Sequence, residues 1–183
     1  DSPVLESILF TLAHAGEYRE ALDIIEASGK TDFYGDGPGG YIRATALYSL
    51  GIEPEASEAI EQAFVSQIPE QEERLFADGW RPPRDFYELA YNYALAGRRE
   101  DALDALEMAV DAHYRWPLRE PWEIFDAVLS LYEEPRFLEL EEIVLDDLDR
   151  QARRIEAMLA ERDVEALFAG MHGARMGLHT QDT

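Results

Sequence analysis

Apolar residues recur along this chain at intervals of three and four, and no run of four to eight residues alternates β-branched with polar side chains. That spacing predicts helices throughout and argues against a sheet. The clearest stretch runs from Phe86 to Ala109. Phe86, Leu89, Ala90 and Tyr93 form one helical stripe, Gly97 supplies a tight turn, and Ala102, Leu106 and Ala109 form the stripe of a second helix. A helix pair of this kind cannot bury its apolar side alone and needs neighbours stacked on it, which points to a solenoid and to binding rather than chemistry.

The same pattern predicts a first pair near the N-terminus. Leu5, Ile8, Leu9 and Leu12 share one face, Gly16 makes the turn, and Ala21, Leu22 and Ile25 share the next face, with Pro3 placed for a helix start. The stretch Gly29 to Gly40 holds five glycines and one proline, so it predicts a loop. That loop delivers the chain to a helix of about ten residues beginning near Tyr41 and ending at Gly51. Gly16 and Gly51 are 35 residues apart and Gly51 and Gly97 are 46 apart, so the second interval carries an insertion. The insertion is placed in Gln67 to Arg84, where Pro69, Gly79, Trp80 and the Pro82-Pro83 pair would end one helix and start another. Further on, Trp122, Phe125, Leu129 and Tyr132 predict an amphipathic helix from Pro121. Phe137, Leu140, Val144, Leu148, Ile155 and Leu159 predict a long capping helix with a charged outer side. The pattern decays after Asp163 through Gly170, Gly173 and Gly177, so residues 164–183 are expected to be a weakly held tail.

Composition narrows the functions. The 39 acidic residues against 16 basic ones give a net charge of −23, which repels phosphate backbones and anionic membranes, so direct nucleic-acid binding is not expected. No stretch approaches the roughly 18 to 20 apolar residues of a membrane-spanning helix, so no membrane insertion by this segment is expected. The absence of Cys removes disulfides, thiolate metal sites and thiol nucleophiles, and leaves a cytoplasmic or a periplasmic location open. The chain begins at Asp1 with neither Met nor a basic and apolar leader, and is read as a segment of a longer protein.

At these residues the chain resembles the tetratricopeptide repeat (TPR) family. The family's hairpin carries a large residue, Leu, a small residue, an aromatic, a turn Gly, Ala, a large apolar residue and Ala. Phe86, Leu89, Ala90, Tyr93, Gly97, Ala102, Leu106 and Ala109 fill those places. Ile8, Leu9, Gly16, Ala21 and Ile25 match in a first unit, and Ala44, Gly51, Ala56, Ile60 and Ala63 in a second, where Gly40 stands in place of the first large residue. The run Ala94 to Leu140 is similar to the closing segment of such repeats in bacterial multidomain proteins, where they follow a winged-helix, cyclase, kinase or hydrolase domain. The resemblance implies an all-α superhelix with repeats at about 2–35, 37–66 and 83–116, a helical insertion at 67–82 and capping helices over 120–163. It also implies a non-catalytic scaffold or sensor without a cofactor.

In that family the inner surface is lined by the first helix of each pair. By register this implies Glu6, Phe10 and His14, then Tyr41, Thr45 and Tyr48, then Arg84, Tyr87 and Tyr91. Phe10, Tyr41, Tyr48, Arg84, Tyr87 and Tyr91 are the expected protein-binding residues, for a peptide, a protein segment or another copy of the chain. Tyr rings give broad apolar contact with a hydrogen-bonding tip at little entropic cost. The alternative is that these rings pack against the insertion or the capping helix. A second functional reading is a small-molecule sensor with its pocket around Trp80. Other motifs lead nowhere. Ser28-Gly29-Lys30-Thr31 lacks the earlier glycine of a phosphate loop, which would fall at Ile24. None of His14, His113, His172 and His179 has the spacing of a hydrolytic zinc site, and Asp146, Asp147 and Asp149 lie within a helical pattern. Trp80, Trp116 and Trp122 sit near helix starts and are expected to be core anchors.

Overall fold

The computed structural model describes residues 3–29, 38–77, 82–119 and 125–160, and within them the fold is all-α. The helices are α1 Pro3–His14, α2 Tyr18–Ser28, α3 Pro38–Ser49, α4 Glu55–Ala63, α5 Ile68–Phe76, α6 Pro83–Leu95, α7 Arg99–Asp111, the one-turn α8 Asp126–Leu129 and α9 Pro135–Ala160. The chain divides into two compact units, Asp1–Val144 and Leu145–Thr183.

In the first unit the predicted pairs form, α1 with α2, α3 with α4 and α6 with α7, and each also touches a neighbour in chain order: α3 packs on α1 and α2, and α5 packs on α6. Leu9, Ala21, Ile25 and Ile42 are buried together, with Leu5, Leu12, Ala13 and Ile24 packed around them. In the third pair Phe86, Leu89, Ala90, Tyr93, Ala102, Leu106 and Ala109 are all buried. The alanines let α6 and α7 approach closely, and the larger Leu89 and Leu106 are buried in the seam between them.

One backbone device closes each of these pairs. At Gly16, Gly51 and Gly97 φ is +77°, +64° and +72°, a left-handed conformation that glycine adopts without penalty. The following amide donates back across the turn, Glu17 N–H to the Leu12 carbonyl (2.9 Å), Ile52 to Leu47 (3.0 Å) and Arg98 to Tyr93 (2.8 Å). Carbonyls at the helix ends are thereby satisfied and the next helix leaves at a fixed angle.

The structure departs from the sequence pattern at four places. The helix expected near Tyr41 begins earlier, at Pro38, whose fixed φ suits a first helical turn. Ile8, counted on the inner stripe of α1, is exposed, as is Val4 one turn before it. The insertion, by contrast, is helical as expected, a 3-10 turn at Val65–Gln67 followed by α5, with Pro69 in its first turn and Ile68, Gln71 and Leu75 buried. The amphipathic helix expected from Pro121 is reduced, among the described residues, to α8 and a 3-10 turn over Ser130–Glu133, which Pro135 ends by disfavouring helix at Glu134. Lastly, α9 buries Phe137, Leu140 and Val144, whereas Ile155 and Leu159 are 56% and 51% exposed and do not face a core as a capping stripe would. The Gly-rich stretch at 30–37, Trp80, Trp122 and the tail after Ala160 lie outside the described residues.

Charged contacts pin the C-terminal part of the first unit. Arg136 reaches Asp104 (2.7 Å) and Glu107 of α7, and Arg119 grips Glu141 through two nitrogens (2.6 and 2.9 Å). No helix among the described residues is long and apolar enough to cross a membrane.

Tyr93 carries a pH signature of this packing. Burial, then its 2.7 Å hydrogen bond to Glu72, push its phenol up to about 12. The folded state therefore holds this proton where the unfolded chain has released it, so the contribution is complete below about pH 10 and lost as pH rises through about 12. Melting temperatures measured across this window should fall more steeply for the native chain than for Tyr93→Phe. Parallel slopes would show that Tyr93 ionises no later in the folded chain than in the unfolded one.

Candidate functional site

The first unit contains an open groove of about 920 Å³, with walls supplied by α1, α3 and α6 and by the residues just after α7. These three helices are the first members of their pairs. Because i and i+4 lie one above the other on a helix, Phe10 and His14 on α1, Tyr41 and Thr45 on α3, and Tyr87 and Tyr91 on α6 present successive side chains to one side.

Five of the six residues expected from the sequence line this groove: Phe10, Tyr41, Arg84, Tyr87 and Tyr91. His14 and Thr45 line it as well, and Glu6 does not. Tyr48 is the exception among the six. Its ring packs on Phe125 (4.9 Å between centroids) and its hydroxyl accepts from the Asp126 backbone N–H (3.1 Å), so it serves the junction with α8. The alternative weighed for the tyrosines, packing against the insertion or the capping helices, is met where Tyr48 and Tyr91 reach Phe125 and Tyr41 reaches Gln67, whereas the other ring contacts go to residues outside both. Tyr41 stacks on Phe64 (4.7 Å, 13° between planes), Tyr91 meets both Phe64 and Phe125, and Tyr87 stacks on Tyr114 (4.8 Å, 8°). Each of Tyr41, Tyr87 and Tyr91 is half-buried, with one face in contact with another ring while the residue still borders the groove.

Polar groups fix these rings. Gln67 donates from Nε2 to the Tyr41 hydroxyl (3.3 Å), and the Tyr87 hydroxyl reaches the Leu118 carbonyl (3.4 Å). Within the lining, Asn92 Nδ2 donates to Gln71 Oε1 (2.9 Å), both side chains being buried, so α5 and α6 are tied by an amide pair whose loss would strand a buried polar group. Arg84 pairs with Glu88 one turn along α6 (2.8 Å), an exposed contact worth at most about 0.5 kcal/mol. Although the chain is strongly acidic, Glu88 is the one carboxylate among the described lining residues, alongside Arg84, Arg115, His14 and His113. No group of three or more metal-ligating side chains occurs among the described residues.

Sequence reasoning missed Phe64, Tyr114 and Trp116 as groove residues. Trp116, expected to anchor the core, is 69% exposed and lines the groove instead. The reason is a turn the sequence hides. After α7 the chain repeats the closure seen at the three glycines, with Tyr114 N–H donating to the Ala109 carbonyl (2.8 Å), but the left-handed position is held by His113 at φ +68°. That turn carries Tyr114 onto Tyr87, and the Arg115 guanidinium then donates to the Val110 and Tyr114 carbonyls (3.0 and 2.7 Å) and contacts His113 Nδ1 (3.0 Å). A glycine at position 113 would have announced the turn, whereas a histidine gives no such signal.

Comparison with known proteins returns no match: no protein-family model fits the chain, and neither a curated protein sequence nor a solved structure is significantly similar to it.

A side chain held in the left-handed region costs about 1 kcal/mol or more, part of which glycine recovers. His113→Gly is accordingly expected to raise the melting temperature by roughly 2 to 4 °C for each kcal/mol gained, and His113→Val to lower it. A Gly variant no more stable than the native chain would show that the turn is unstrained.

Proposed function

We propose that the first unit is a non-catalytic interaction module that holds a peptide or a segment of another protein in the aromatic groove. The observation that carries this reading is the composition of the groove wall. Phe10, Tyr41, Tyr87, Tyr91, Tyr114 and Trp116 surround one concavity in a chain whose net charge is −23. Aromatic side chains supply large contact area for few lost rotamers, and partly exposed Trp and Tyr are the residues that most often dominate binding energies. The exposed Trp116 and the half-exposed Phe10 are the anchors of this reading, at opposite sides of the chain's order but on the same groove. Rings already fixed by stacking and by Gln67 and Leu118 need little further ordering when a partner arrives. The TPR resemblance in the sequence, and a place within a larger bacterial regulatory protein, belong to the same proposal.

The groove's volume also lies within the range of roughly 300 to 1,000 Å³ typical of small-molecule pockets, which favours a second reading as a sensor of an aromatic or apolar metabolite. A ligand bound only by the folded chain would raise the melting temperature with the logarithm of its concentration, whereas a screen without such a response counts against this reading.

Peptides selected from a random library on the purified chain separate the readings. Under the proposal, Trp116→Ala and Phe10→Ala each weaken the selected peptides at least tenfold, about 1.4 kcal/mol, while Leu138→Ala on α9 leaves affinity unchanged. Both groove positions are substantially exposed, so their replacement is not expected to unfold the chain. Affinities insensitive to both groove variants would remove the groove from the interaction.

A further inference from the structure

The second unit carries an apolar seam that is open to solvent. Along the last turns of α9, Leu145, Leu148, Ala152, Ile155 and Leu159 follow one another at alternating spacings of three and four, the heptad repeat that keeps one side of a helix facing another helix. Every residue from Asp149 to Ala160 is exposed, and Leu145 is 49% exposed. A single exposed leucine is ordinary, whereas a continuous exposed seam marks an interaction surface.

We infer that this seam pairs with the same seam of a second copy of the chain, the two helices running antiparallel. The charges beside the seam carry the choice of occupant. Between Leu145 and Ile155 they are segregated along the helix: Asp146, Asp147 and Asp149 come first, then Arg150, Arg153 and Arg154, so this stretch is neutral within a chain of net charge −23. An antiparallel copy with the same order brings the acidic turn of one helix against the basic turn of the other, and the two-fold axis repeats each contact.

One register satisfies both the seam and the charges. Setting Leu145 against Ile155 of the second copy also sets Leu148 against its Ala152, a large side chain against a small one. Asp146 then shares a flank with Arg153 of the second copy, and Asp147 shares the other flank with its Arg154. Asp149, near the axis, faces its own copy, and Arg153 one turn along the same helix offsets it. A slip of one heptad would bring Arg153 and Arg154 against themselves and Asp149 against Glu156, and a parallel pair would bring every charge against its own copy. Charge therefore selects orientation and register together. Repulsion between the two net charges of −23 is screened beyond about 8 Å at physiological salt. Four layers of side chains bury less than the roughly 1,200 Å² of a standard interface, so the pairing is reversible and forms at micromolar to millimolar concentration.

Sedimentation equilibrium on the purified chain tests the inference. The native chain should pass from monomer to dimer as its concentration rises, and Ile155→Asp, at an exposed position, should remain monomeric. Asp146→Arg and Arg153→Asp should each weaken self-association about threefold or more by setting like charges together, while an equimolar mixture of the two variants pairs as tightly as the native chain. A native chain that stays monomeric at about 1 mM would overturn the inference and leave the seam to another occupant. A dimer that persists in Ile155→Asp, or charge variants that self-associate as the native chain does, would equally overturn it, since the copies would then meet elsewhere.

Discussion

The groove exists because a buried set of aromatic rings holds its walls apart and in register. Phe64 and Phe125, both buried, meet edge to face at 5.8 Å, and around them close Tyr41 from α3, Tyr91 from α6 and Tyr48 from the far end of α3. Each such contact is worth about 0.5 to 1.5 kcal/mol beyond the area it buries. Five such contacts amount to about 2.5 to 7.5 kcal/mol, a substantial fraction of the net stability of an ordinary domain, so the arrangement is favoured over one with the rings apart. The cluster ties α3, the end of α4, α6 and the start of α8 into one block. Tyr41 and Tyr91 belong to it and border the groove as well, so the core and the candidate surface share residues.

This sharing sets the character of the surface. A ring that is stacked on one side cannot be freely repositioned, and the Gln71 and Asn92 amide pair fixes α5 against α6 beneath it. The cost of ordering the wall has been met during folding, through contacts that form whether or not a partner is present. The same contacts make the groove fragile in a particular way. Substituting Phe64 or Phe125 would disturb binding through the core, while substituting exposed residues disturbs it alone, and that difference governs which positions are informative to alter.

Much of the fold was legible because helix pairs announce themselves twice, by apolar spacing and by the glycine that must take a left-handed φ between them. Gly16, Gly51 and Gly97 carried that signal, and each ends its helix as the spacing requires. His113 performs the same turn without the signal, which is why Tyr114 and Trp116 could not be placed in advance. Spacing also says which residues share a helix face without saying which segment that face meets. Tyr48 and Tyr41 are equivalent by period, yet one meets Phe125 and the other borders the groove, because the chain after α7 crosses back to the end of α3. The apolar period of α9 runs on past Val144, but burial depends on what lies opposite, and the period cannot report that. Five of the six expected groove residues came from register within the pairs, and the missed ones came from long-range crossings.

The most direct test of the account is a chemical-shift map of the chain titrated with one selected peptide. The largest changes are expected at the Trp116 indole and at Phe10, Tyr87 and Tyr91, with the outward residues of α2, α4 and α7 unmoved. A map centred on those outward helix faces, with the Trp116 indole resonance unchanged at saturation, would contradict it.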